Sequence, residues 1–379
     1  MNRACSVVFY AAIALITCVM SKKVCRVTVG NKTDVCLRTQ ALNKLYLGGI
    51  FTILFAVSAL RFGIGNDYPQ YTLTAHEAYV GGYVVTEPGF NYLVRFVYTL
   101  LNGEYYEAVF AVFAFVTLLV FLHVLYRDSV DFAQSFFLFM TLGIYFQTFN
   151  TVRYYFALAV AFCCMRYVLE KDYIRFVFWI LIAALFHKSV LLVIPVYILA
   201  TFTWKRWMFA LGMIAGVACF AARGILLEFA LMLYPSYRNT IYLDGGMSVT
   251  SVLRIAVVLL LYLWFLHYMG KDFCKDADYQ KIRFYGQLNF LAFLAATFFS
   301  FLPVVTRIVY YFSISWLLMI PLMVEKIEDN TVKTRVRFLI IAVCVVHFVF
   351  FLLHAHEAGV GLLPYRSWLF EERYVEVPL

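Results

Sequence analysis

An all-α, polytopic integral membrane protein is the fold class that this sequence predicts, on three observations: its composition, its recurring apolar runs and the placement of its cations. Of 379 residues 64% are hydrophobic and 14% charged, and the mean hydropathy is +0.82, far from the averages of soluble domains. Apolar stretches near the roughly 20 residues needed to cross a bilayer recur along the chain. They leave no separate soluble domain, so a single integral domain over residues 1–379 is expected, with about 10–12 transmembrane helices. The formal charge of +9 does not point to nucleic acid, because the basic residues sit in short loops between apolar spans rather than on one face.

The first run, 4–20, has only Arg3 before it and a heavily basic segment, 21–44, after it. That flank resembles a stop-transfer signal, so the run is expected to be a retained helix with its N-terminus outside. The following spans are expected at 45–60, 105–126, 134–150, 151–169, 176–203, 207–222, 251–269, 287–302, 308–324 and 338–354. With 21–44 inside, cations such as Lys22, Lys23, Arg26, Lys32, Lys44, Arg127, Lys205, Lys281 and Arg337 collect on the cytoplasmic side, as the positive-inside rule requires.

The run 176–203 fits this scheme only as a hairpin, since Lys171 and Arg175 before it and Lys205 and Arg206 after it should lie on one side. Two short, broken arms would turn at "ALFHKSVLL", where His187 and Lys188 are the only ionisable side chains of the run. A cation at the centre of a membrane helix costs roughly 2.5–3.5 kcal/mol. Irregular backbone at that depth is allowed only inside protein or beside a water-filled cavity.

The outer face is stocked with arginine, including Arg3, Arg61, Arg95, Arg153, Arg254, Arg307, Arg366 and Arg373, with Lys188 the exception. Guanidinium is always charged and forks onto phosphate or carboxylate, although it also anchors to lipid headgroups. The nine cysteines avoid extended outer loops, so disulfides are not expected, and no Cys/His metal spacing or soluble-enzyme motif is present.

The longest outer segment is 61–104, "RFGIGNDYPQYTLTAHEAYVGGYVVTEPGFNYLVRFVYTLLNGE", which carries Asp67, His76, Glu77 and Glu87 among turn residues. Long ordered loops of this kind are usually functional, and from "PGFNYLV" onward a short amphipathic helix on the outer leaflet is expected.

Taken in order, "RFGIGNDYPQY", "EPGFNYLV", "NTVRYYFALAVAF", "LEKDYIRFVFWILIAALFHKSVLLVIPVYIL", "TRIVYYFS" and "LLPYRSW" resemble the EpsG-type branch of the Wzy polysaccharide polymerases. Members commonly have Arg-Gln where this chain has Arg153-Tyr154. The resemblance implies a GT-C-like membrane glycosyltransferase of the bacterial cytoplasmic membrane with its active site facing the exterior. Such an enzyme polymerises undecaprenyl-pyrophosphate-linked oligosaccharide repeat units into exopolysaccharide, capsule or O-antigen. It uses neither cofactor nor metal. A chain-length regulator as a further partner stays open.

That chemistry assigns roles to residues already singled out. Arg61, Arg153, Lys188, Arg254, Arg307 and Arg366 are the expected pyrophosphate and glycan contacts, with Tyr68 as a sugar contact. His187, with an ordinary pKa of about 6.5, Asp67 and Glu87 are the candidate general bases. A lipid-linked glycan transporter and an O-antigen-ligase-like transferase are the competing readings. No internal repeat relates the two halves as in many carriers.

Overall fold

A computed structural model describes residues 2–25, 33–82, 84, 86–233, 238, 248–302, 305–357 and 360–370. Arg26, Lys32 and Arg373 lie outside these. The described residues are helical throughout apart from loops and one isolated antiparallel bridge, Arg61 with Ser367. Among the described residues, seven helices are long and apolar enough to cross a membrane, or eight with a bent pair included, and three shorter apolar helices accompany them.

The chain forms two compact units, crossing between them at residues 163/164, 181/182, 188/189 and 327/328. The first unit contains α1 (Arg3–Ser21), α2 (Thr33–Ala59), α3 (Tyr68–Val80), α4 (Pro88–Leu101), α5 (Tyr106–Asp128), α6 (Phe132–Thr141), α7 (Ile144–Gln147), most of α8 (Val152–Leu169), residues 182–188 and α17 (Asn330–His354). Its two ends differ in charge. At one, Asn43 ties the basic segment after α1 by accepting from the Cys25 N–H at 3.0 Å, and Arg337 faces Asp131 at 3.8 Å. At the other, the N-terminal turn of α1 meets the returning C-terminal segment, where the Tyr365 N–H donates to Ser6 Oγ at 2.9 Å. The Tyr365 hydroxyl there reaches the Val57 carbonyl at 3.1 Å. Lys22, Lys23, Lys44, Arg127 and Arg337 belong to the first end, while Arg61 and Arg366 belong to the second.

The second unit holds the C-terminal part of α8 and most of α9 (Tyr173–Ala184), then a 3-10 turn (Lys188–Leu192), α10 (Val193–Thr201), α11 (Arg206–Ala221), α12 (Arg223–Leu233), α13 (Val249–Met269), α14 (Tyr279–Phe298), α15 (Val305–Ser313) and α16 (Trp316–Lys326). Helix α14 is its buried axis. Two of its buried amide side chains each find one partner nearby: Asn289 Oδ1 accepts from the Trp316 indole at 2.9 Å and Gln287 donates to the Phe202 carbonyl at 3.0 Å.

The run 176–203 doubles back. Helix α9 ends at Ala184, and α10 returns so closely that the Phe176 and Tyr197 rings stack with centroids 6.2 Å apart. A continuous helix would separate these two positions by roughly 30 Å at about 1.5 Å per residue. The arms are far shorter than the roughly 20 residues of a spanning helix.

Two other expected spans differ from the structure. Positions 134–150 are not one helix, because Gly143 at φ +75° stops α6 after ten residues and only a single turn, α7, follows. The span 207–222 is α11, bent by 77° into α12. Positions 308–324 lie within one candidate span, Val305–Lys326, made of α15 and α16 with a turn between them. In the first case a glycine in left-handed backbone ends the helix where apolarity alone would have continued it.

Candidate functional site

The outer segment 61–104 is punctuated into helices by its turn residues. Pro69 sits in the first turn of α3 and Gly81 closes it in left-handed backbone at φ +84°. Glu87 is the N-cap residue of α4, with extended backbone and Pro88 following, the position where a missing N–H costs nothing. Its carboxylate does not cap its own helix and is left to reach across to other elements.

Glu87 makes three connections. Its Oε2 accepts from the Arg153 guanidinium in a short ion pair, and both side chains are largely buried. Its Oε1 accepts from the Lys188 backbone N–H at 3.1 Å and stands 3.8 Å from Nδ1 of His187. One carboxylate therefore joins the start of α4, the first turn of α8 and the break after α9. Gly89 completes the junction: its N–H donates to the Leu185 carbonyl at 2.8 Å, and a Cβ there would lie 2.7 Å from that oxygen.

Arg153 is held on its other sides by aromatic faces, 5.2 Å above Tyr71 and 5.1 Å above Phe90, and its Nε donates to the Tyr71 hydroxyl at 3.4 Å. His187 is buried, and its ring meets Tyr154 edge-on at 5.4 Å. Tyr154 is the position where this chain departs from the Arg-Gln pattern. It packs the imidazole in place. Two residues before Arg153, Thr151 donates to Asp67 Oδ2 at 2.8 Å, so Asp67 steadies the loop leading into α8. The Lys188 side chain is exposed.

Beside Arg153 opens a pocket of about 360 Å³ lined by Gln70, Leu73, Thr74, Glu77, Val84 and Thr86. Residues 70, 73, 74 and 77 share one face of α3 by helical spacing. None of the pocket's lining residues except Arg153 was singled out from the sequence as a site residue, although that spacing was readable.

Arg61 is placed differently from the expectation that it contacts substrate. It is 2% exposed, its guanidinium lies 5.1 Å from both the Phe110 and Phe149 rings, and it donates to the backbone carbonyl and the hydroxyl of Ser58. Burial lowers its pKa to about 10, countered by surrounding tyrosines, so it stays charged at neutral pH. Tyr68 is likewise in the aromatic core, stacked on Phe110 at 4.8 Å. Burial pushes its hydroxyl well above the usual range. Arg366 is exposed, and its carbonyl accepts from the Phe62 N–H at 3.0 Å, pinning 61–62 to the C-terminal segment. Arg254, 6.0 Å from the Trp316 ring, and Arg307 on α15 belong to the second unit. No group of three or more His, Cys, Asp or Glu side chains that could hold a metal ion occurs among the described residues.

The motifs that converge on Glu87 lie within one family's sequence profile, that of the EpsG family, which matches residues 44–367. The chain is a member of the EpsG family. No curated protein and no solved structure matches it. In this EpsG-family protein, the motifs "EPGFNYLV", "NTVRYYFALAVAF" and the "FHKS" break supply Glu87, Arg153 and His187, residues distant in sequence that fold to one junction. "TRIVYYFS" packs within the second unit, where the Tyr311 carbonyl accepts from the Tyr197 hydroxyl at 2.6 Å and the Tyr311 hydroxyl lies 3.2 Å from Ser189.

Proposed function

We propose that this EpsG-family protein is a polysaccharide polymerase of the bacterial cytoplasmic membrane. It joins undecaprenyl-pyrophosphate-linked oligosaccharide units on the outer face. The observation that carries this reading is the junction at Glu87, where a buried guanidinium, a carboxylate and an imidazole meet beside the exposed Lys188. Every described lysine of the first unit except Lys188 lies at the opposite end, which supports an outward orientation by the positive-inside rule.

In the proposed step, an acceptor hydroxyl oxygen bonds to the anomeric carbon of the donor as that carbon's bond to pyrophosphate breaks. The electron pair leaves on the undecaprenyl pyrophosphate. Arg153 and Lys188 meet the charge that develops there, in a site where few waters compete. As the diphosphate takes the Arg153 guanidinium, Glu87 is released toward His187, and this pair receives the acceptor's proton. Asp67 acts at one remove, holding Thr151 and hence the first turn of α8.

Purified protein given only lipid-linked repeat units, with no nucleotide sugar, is expected to make a ladder of longer lipid-linked glycans. Arg153→Ala should slow it by about 10²–10³-fold, the range for loss of one charge-stabilising donor. His187→Ala should slow it by about 10²–10⁴-fold. Normal ladders from both variants would remove the junction from the chemistry. Transport of labelled lipid-linked sugar across proteoliposomes without a ladder would favour the carrier reading.

A further inference from the structure

The pocket beside Arg153 has features that the proposed reaction does not use. One wall is the α3 face of Gln70, Leu73, Thr74 and Glu77, and the other is formed by Val84 and Thr86 of the segment leading to Glu87. Gln70 Nε2 donates to Thr74 Oγ1 at 3.4 Å, and Thr86 bonds to Asn91 on α4, so the two hydroxyls are pre-oriented. Leu73 and Val84 supply apolar patches of the kind on which the C–H face of a sugar ring rests. Small-molecule sites run from about 300 to 1,000 Å³, so a pocket of about 360 Å³ suits one pyranose residue.

The charge around the pocket also selects. Arg153 is already neutralised by Glu87 in the ion pair, which leaves Glu77 as the lining charge without an ion pair among the described residues. A carboxylate accepts hydrogen bonds from neutral hydroxyls and repels an acidic substituent.

We infer that this pocket binds the non-reducing-end residue of the acceptor glycan and that it takes an uncharged, hydroxyl-rich ring in preference to a uronic acid. The inference rests on the polymerase reading for the word acceptor. Gln70, Thr86 and Glu77 bind the hydroxyls, and Arg153, shared with the junction, places the ring one side chain from Glu87. Gln70 and Glu77 are specificity residues that touch substrate without taking part in bond breaking.

The test uses two probes: the repeat-unit oligosaccharide released from its carrier by mild acid, and the same oligosaccharide with the primary alcohol of its terminal residue oxidised to a carboxylate. Binding to the full-length protein in detergent is measured by titration, beside the ladder assay. Wild type should bind the neutral probe about tenfold more tightly than the oxidised one, and Glu77→Gln should narrow that gap. Gln70→Ala and Thr86→Val should each weaken the neutral probe by about five- to tenfold, the loss of roughly one hydrogen bond. They should also raise the acceptor KM while leaving kcat within about threefold.

If wild type makes a ladder but the three variants bind and turn over like it, the pocket assignment falls and the polymerase reading stands. If wild type makes no ladder yet shows the variant-dependent binding, the pocket stands as a glycan site and the polymerase reading falls. Equal binding of the two probes by wild type overturns the preference for a neutral ring.

Discussion

Glu87 is the residue on which the first unit's chemistry converges. The Arg153 side chain is buried against aromatic rings, and its charge is tolerated there because a carboxylate and a tyrosine hydroxyl share it. Removing one partner of such a pair leaves the other charge buried without compensation, typically at about 3–5 kcal/mol. Glu87→Gln keeps the shape and one acceptor oxygen but removes the charge. It should lower the unfolding temperature in detergent and abolish the ladder. Glu87→Asp should recover part of the stability, and a Glu87→Gln protein as stable as wild type would contradict a structural ion pair. Arg61 illustrates the opposite outcome of similar chemistry. Its guanidinium is locked between Phe110 and Phe149, which makes it a packing cation of the loop that Arg366 and Ser367 pin in place.

At the scale of elements, the junction depends on how closely α4 approaches the break after α9. The Gly89 N–H to Leu185 carbonyl bond fixes that approach, and a side chain at position 89 would collide with backbone, which cannot swing aside. Gly89→Val is therefore expected to displace the start of α4 and, with it, Glu87. Ladder formation should fall by about tenfold or more, since small misplacement of catalytic groups costs up to about 10²-fold. The displacement should also raise the protease sensitivity of the chain around Glu87, a readout separate from activity. A Gly89→Val protein with normal activity would show that the contact is incidental. The broken arms α9 and α10 serve the same end, because a helix break exposes the Lys188 backbone N–H that binds Glu87.

For the whole molecule, the separation of charge between the two ends of the first unit predicts sidedness. With other cysteines replaced, Cys25 should react with a membrane-impermeant maleimide only from the cytoplasmic side, and Lys188→Cys only from outside; both positions are exposed. Labelling of both from one side would overturn the orientation. The sequence by itself determined the membrane class, the helical fold, the family motifs and the fold-back of 176–203, because apolar run length and cation placement are local quantities tied directly to a bilayer's thickness and charge asymmetry. It also marked Glu87, Arg153 and His187 one by one. Only the tertiary structure decided that these three meet, that Arg61 and Tyr68 are core, that Gly143 splits 134–150, and that one face of α3 closes a pocket with Arg153. Those outcomes turn on which side chains pack together across tens of residues, and a periodic apolar pattern carries no record of its partner.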